Sequence, residues 1–75
     1  MLTFELVAVA DGFYHYDIYP EGVADDRQTL IFNPVSKAVR KNTFDESNRK
    51  YLSHFLQAVK DDDGNYRQKG MTAWG

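Results

Sequence analysis

The clearest hydrophobic pattern in the chain lies between Thr43 and Lys60, where apolar side chains recur at steps of three and four residues. This spacing places them on one stripe, and it predicts an amphipathic helix over residues 43–60. At its start, Thr43 and Glu46 have the spacing of a capping box. The stripe consists of Phe44, Tyr51, Leu52, Phe55, Leu56 and Val59. Because an isolated helix of this length is marginal in water, its stripe has to pack against another element.

Upstream of this helix the hydrophobic period changes to two, which is typical of strands. Apolar and polar residues alternate over residues 2–9, and a second strand-like run covers residues 13–19. Asp11 and Gly12 form a turn signal between the two runs. The pattern therefore predicts a β-hairpin at the start of the chain.

The loop length of this hairpin decides which side chains share a face. A two-residue loop would place Leu6 opposite Asp17 and Ala8 opposite His15, with polar groups on the apolar face. A three-residue loop, residues 10–12, makes one face wholly apolar, and we therefore predict it. Its register pairs Ala8 with Tyr14, Leu6 with Tyr16 and Phe4 with Ile18.

Two more strands are predicted before the helix. Residues 29–32 form the third strand, and a turn around Pro34 returns the chain through a fourth strand at residues 37–41. Pairing across this turn sets Leu30 opposite Val39 on the inner face.

The last predicted strand is short and follows the helix, at residues 70–74. The element order is then β-β-β-β-α-β. It predicts an α+β fold, a small antiparallel β-sheet with one amphipathic helix packed across one face. We expect residues 1–75 to form a single α+β domain, because no linker, repeat or low-complexity run interrupts them.

Composition adds the expected compartment. The chain has 75 residues, of which 43% are hydrophobic and 15% aromatic, as in a folded globular protein. The absence of cysteine excludes disulfides and thiolate metal sites, and a reducing compartment fits this best. The start of the chain shows no signal peptide and no apolar run long enough to span a membrane. We therefore expect a cytoplasmic protein without a membrane partner.

The outer face of the predicted hairpin is apolar as well as the inner one. Monomeric proteins rarely expose such a second patch, so either the C-terminal segment covers it through Trp74 or a protein partner binds there. The candidate interface residues are Val7, Val9, Phe13, His15, Tyr19 and Trp74. The sequence thus suggests a small protein-interaction module, acting through this face or an edge strand, as a monomer or a homodimer.

An alternative comes from the charges. The net charge is −2, but the basic residues concentrate in the middle of the chain, at Lys37, Arg40, Lys41, Arg49 and Lys50. Basic residues beside sheet aromatics are a feature of proteins that bind single-stranded nucleic acid, which makes residues 37–50 an alternative site. The pI of about 5.5 argues against it.

Catalytic and metal-binding chemistry has little support. His15 and Asp17 share the outer face and could transfer a proton or hold a metal, but no third ligand accompanies them. The acidic run at residues 61–65 fails the spacing of a calcium loop, since Gly70 would occupy the position of the bidentate Glu. We therefore expect no catalytic site, no metal and no cofactor, and a protein that is not an enzyme.

Overall fold

The computed structural model describes residues 1–74, which fold into one antiparallel sheet and one α-helix. The elements are β1 (Leu2–Ala10), β2 (Phe13–Pro20), β3 (Gln28–Phe32), β4 (Val39–Asn42), α1 (Arg49–Ala58) and β5 (Lys69–Thr72), with a short 3₁₀ turn at Ala24–Asp26. The strand order is β4-β3-β2-β1-β5, and α1 packs on one face of the sheet. This confirms the predicted α+β fold and element order, including the closing strand.

The core lies between α1 and the face of the sheet that α1 covers. Its buried side chains are Leu2, Phe4, Tyr16, Ile18, Leu30, Phe32, Phe55 and Val59. Phe55 is the central contact, with its ring 5.2 Å from that of Phe4 and 5.1 Å from that of Tyr16. The Tyr16 hydroxyl donates a hydrogen bond of 2.7 Å to the Arg67 carbonyl, so its polar atom is satisfied although the residue is fully buried.

The β1–β2 hairpin combines the two loop lengths that the sequence set against each other. Asp11 and Gly12 have φ angles of +54° and +80° and form a two-residue turn, so the predicted three-residue loop is wrong. The predicted pairs Leu6–Tyr16 and Phe4–Ile18 are nevertheless present. A β-bulge between Leu6 and Ala8 shifts the register and reconciles the turn with the apolar face.

This bulge exchanges two side chains between the faces of the hairpin. Ala8 pairs with His15 instead of Tyr14, so Ala8 lies on the outer face rather than in the core. Val9 pairs with Tyr14, whose ring packs on the helix side, so Val9 lies on the inner face.

The β3–β4 hairpin turns one residue later than predicted. The Asn33 N–H donates to the Ala38 carbonyl at 2.9 Å, and the Asn33 side chain accepts bonds from the next turn residues. Val39 therefore pairs with Phe32, and the predicted Leu30–Val39 pair is wrong. A second irregularity follows at Arg40, between the Phe32–Val39 and Ile31–Lys41 pairs.

The helix begins later than its hydrophobic stripe suggested. The stripe predicted residues 43–60, but the Oγ1 of Thr43 accepts a 2.8 Å hydrogen bond from the Thr29 N–H and ties this residue to β3 instead. The Asp45 carboxylate then accepts bonds from the N–H and hydroxyl of Ser47, forming a turn before α1. The predicted capping box is therefore not formed.

Candidate functional site

The face of the sheet opposite α1, here called the outer face, carries no other element of residues 1–74. The helix packs on the inner face through Phe55 and Val59. The segment after the helix follows it there, since the Tyr66 ring lies 5.5 Å from that of Tyr14. Within residues 1–74, the helix and the segment after it thus cover one face of the sheet and leave the other face uncovered.

An apolar area occupies the half of the outer face nearest the β1–β2 turn. We call it the outer patch; it consists of Val7, Ala8, Ala10, Phe13 and Ile31. Strand pairing places its members together, because His15 lies opposite both Ala8 and Ile31, and Phe13 lies opposite Ala10. The patch contains a shallow concavity of about 170 Å³. Val7, at the bulge, is 44% exposed.

Arg40 borders the outer patch from β4. Its guanidinium lies 3.8 Å above the centre of the Phe13 ring, a cation–π contact that leaves Phe13 half-buried. The neighbouring Lys41 pairs in register with Ile31, so it also belongs to the outer face. The β4 side of the patch is therefore positively charged.

The other half of the outer face is polar and centred on Asp17. Its carboxylate accepts a hydrogen bond of 3.2 Å from the Thr29 hydroxyl and lies 3.3 Å from Nε2 of His15 and 4.0 Å from the Arg27 guanidinium. Glu5 lies opposite it on β1. These contacts order the carboxylate, and within residues 1–74 no group of three metal-ligating side chains occurs.

The predicted interface residues divide between two surfaces. Phe13, His15 and Tyr19 lie at alternate positions of β2 on the outer face, and Val7 adjoins them from β1. Val9 does not, because of the bulge described above.

Trp74 also lies away from the outer face. It stacks on His54 of α1, with ring centres 3.8 Å apart and an angle of 7° between the planes, and it packs edge-on against Tyr51. The prediction that Trp74 could cover the outer face is wrong, because its ring is used to extend the core along the helix.

The predicted nucleic-acid residues are dispersed. Arg40 and Lys41 lie on the outer face, whereas Lys37 lies beside α1 on the inner side of the sheet. Arg49 and Lys50 begin the helix, where the Lys50 ammonium sits 5.2 Å over the Tyr51 ring. The structure therefore places only Arg40 and Lys41 of the five basic residues on the outer face.

Two pKa shifts occur where Glu21, in the turn after β2, meets the helix and the N-terminus. A hydrogen bond from the Tyr51 hydroxyl, 2.7 Å long, and one from the N-terminal ammonium lower the pKa of the exposed Glu21 carboxyl. The same hydrogen bond raises the pKa of Tyr51. These contacts join the turn after β2 to the helix.

Sequence reasoning missed the contributions of Ala8, Ala10 and Arg40 to the outer patch. The bulge at Val7 places Ala8 and Ala10 on the outer face, and the irregularity in β4 brings Arg40 to the border of the patch. Neither irregularity has a clear signal in the local sequence pattern.

In the described residues no helix is both long and apolar enough to cross a membrane. Comparison with family models, curated proteins and solved structures found no match to this chain.

Proposed function

We propose that this protein is a non-enzymatic interaction module of the cytoplasm that forms a homodimer through its outer face. The observation that carries the proposal is the outer patch, an apolar area on a sheet face that no element of residues 1–74 covers. Small domains often complete their cores by association, because they bury too little apolar surface alone.

The outer face is a better candidate for the dimer interface than either edge strand of the sheet. Both edge strands, β4 and β5, have only four residues. β4 carries Arg40 and Lys41 and is irregular, and β5 carries Lys69. Short strands, basic side chains and bulges are the features by which natural sheets prevent pairing along an edge.

A second copy is favoured as the occupant by size and charge. The two longer dimensions of the domain, 33 and 26 Å, limit the face to roughly 860 Å², so a stable interface of ~800 Å² per partner needs an occupant with a face of the same size, which a second copy has. The face also carries both signs of charge, with Glu5 and Asp17 in its polar half and Arg40 and Lys41 at its β4 side. A two-fold interface brings one surface against itself, so charges of both signs favour self-complementarity.

The test is the solution mass by light scattering after size exclusion, over a concentration series. We expect the wild type to approach twice 8.7 kDa as concentration rises. Val7→Lys places a charge in the outer patch and should weaken dimerisation at least about tenfold. Leu56→Lys is the matched control: it introduces the same charge at a 50% exposed leucine on α1, and should leave the dimer unchanged.

A wild-type mass of 8.7 kDa at every concentration would contradict the proposal. So would equal weakening by Val7→Lys and Leu56→Lys. Single-stranded nucleic acid is the competing occupant, supported by Phe13, Arg40 and Lys41 on one face. Binding of an oligonucleotide that falls steeply with salt and is lost with Arg40→Gln would favour that alternative and replace the homodimer proposal.

A further inference from the structure

A second apolar concavity lies on the opposite side of the sheet, between α1 and the β3–β4 hairpin. We call it the inner groove. It has a volume of about 240 Å³, and its lining includes Lys37, Val39, Asn42, Leu52, Leu56 and Tyr66. It shares no residue with the outer patch and is separated from it by the thickness of the sheet.

The position of the helix explains why the groove is open. α1 contacts β1 and β5, which lie at one edge of the sheet, and so does not extend over β4 at the opposite edge. Leu56 belongs to the hydrophobic stripe yet remains 50% exposed, and Val39 on the facing strand remains 59% exposed. These two side chains form the apolar walls of the groove, and no other element of residues 1–74 covers them.

Charge at the groove has one sign. Lys37 is the one charged side chain among the lining residues, and no Asp or Glu of the described chain lines the groove. A second ammonium, that of Lys60, lies 5.3 Å over the ring of Tyr66, which is a lining residue. Asn42 adds an amide: its Oδ1 accepts the N–H of Phe44 at 2.9 Å, which orients the NH₂ group as a donor.

The backbone holds Lys37 at the rim. Its φ angle of +68° is in the left-handed region, which is uncommon for a residue with a side chain. The Lys37 N–H donates a 2.8 Å hydrogen bond to the Asn33 carbonyl and closes the turn. The backbone of Lys37 is thus held beside the apolar walls by a structured hairpin, and its ammonium is within reach of the groove.

We propose that the inner groove binds a medium-chain aliphatic monocarboxylate, with octanoate as the representative ligand. At about 30 Å³ for each water-sized group, the volume of 240 Å³ holds roughly eight such groups, which is enough for the alkyl part of octanoate, a chain of about seven carbon groups. The chain lies between Leu56 and Val39, and the carboxylate accepts hydrogen bonds from Lys37 and Asn42. Apolar walls with a cationic rim are the complement of this amphipathic anion.

The test is titration of the ¹⁵N-labelled protein with octanoate, 1-octanol and octylammonium, followed by amide chemical shifts. Octanoate should bind with a Kd on the order of 1 mM or tighter and shift the amides of Leu52, Leu56 and Val39. The alcohol should bind at least about threefold more weakly because it lacks the charge, and the ammonium should not bind there. Equal affinity for octanoate and octanol would overturn the proposal.

Variants test the assigned contacts. Lys37→Gln should weaken octanoate binding about threefold to fivefold, whereas Lys41→Gln, the same change on the outer face, should not. Both residues are exposed, so the fold should persist. An equal effect of the two variants would overturn the assignment. So would competition by a short peptide with a C-terminal leucine that binds the groove more tightly than octanoate, since the occupant would then be a peptide terminus.

Discussion

Substitution of Gly70 by alanine tests the packing of β5 against the core. Gly70 lies opposite Phe4 in the β1–β5 pair, and the Phe4 ring covers it. A Cβ atom at position 70 would lie 2.7 Å from Cζ of Phe4 and 3.1 Å from its Cε2. The ring cannot move away freely, because it is 3% exposed and lies 5.2 Å from the ring of Phe55.

The expected cost follows from these distances. Overpacking a well-packed core destabilises a fold by about 1–3 kcal/mol. Alanine also reduces the conformational entropy of the unfolded chain, which offsets this loss by about 0.4–1 kcal/mol. We expect Gly70→Ala to lower the free energy of unfolding by about 1–2 kcal/mol. That is a large fraction of the ~4–11 kcal/mol typical for 75 residues.

Urea denaturation followed by circular dichroism measures this loss, as a lower midpoint with an unchanged slope. Met71→Ala on the same strand is the control; Met71 is 66% exposed, so its loss should stay within about 0.5 kcal/mol. Phe4→Leu removes the clashing ring atoms, so Gly70→Ala should cost at least about 1 kcal/mol less in that background. A Gly70→Ala protein as stable as the wild type would refute the proposed contact.

Two further predictions concern single side chains. Burial raises the pKa of Tyr16 to about 12, above its ordinary value of 10.0. The neutral phenol therefore stabilises the fold fully below pH 10, and this contribution, on the order of 2 kcal/mol, should disappear as the pH rises to about 12. Tyr16→Phe removes the hydrogen bond to Arg67 and should lower the free energy of unfolding by about 1 kcal/mol at pH 7. In urea titrations this variant should also lack the loss of stability at alkaline pH, and parallel curves of stability against pH for the two proteins would contradict the prediction. Lys37→Asn should stabilise the fold by about 0.5 kcal/mol, because asparagine tolerates the φ of +68° better, and a lower melting temperature would show that this backbone is not strained.

The fold could be predicted where one pattern decided it. The pairs of Leu6 with Tyr16 and of Phe4 with Ile18 follow from alternation alone, and the structure contains both. The bulge beside them could not be predicted, because it resolves a conflict between the Asp11–Gly12 turn and the apolar register. The bulge satisfies both the turn and the register, and it leaves Val7 without a partner on β2.

Long-range contacts explain the remaining differences. Thr43 has the local signal of a helix cap, but its hydroxyl binds the backbone of Thr29, 14 residues away. Trp74 was expected over the outer face, but it stacks on His54 of α1. In both cases the local pattern identified a residue with a specific contact, whereas the partner depended on the tertiary arrangement.

The same distinction applies to the candidate site. Alternation correctly placed Phe13, His15 and Tyr19 on the outer face of β2. It could not show that Arg40 covers Phe13, because this contact needs the irregular pairing of β4. Nor could it reveal the inner groove, since that depends on where α1 lies across the sheet.

The most direct test of the homodimer is an isotope-filtered NOE experiment on a mixture of ¹³C-labelled and unlabelled protein, which detects only contacts between copies. The proposal predicts intermolecular NOEs from the methyl groups of Val7 and Ile31 to aromatic protons such as those of Phe13, because all three lie in the outer patch. Intermolecular NOEs that arise instead from Leu56 on α1, or none at a concentration where the mass is that of a dimer, would contradict it.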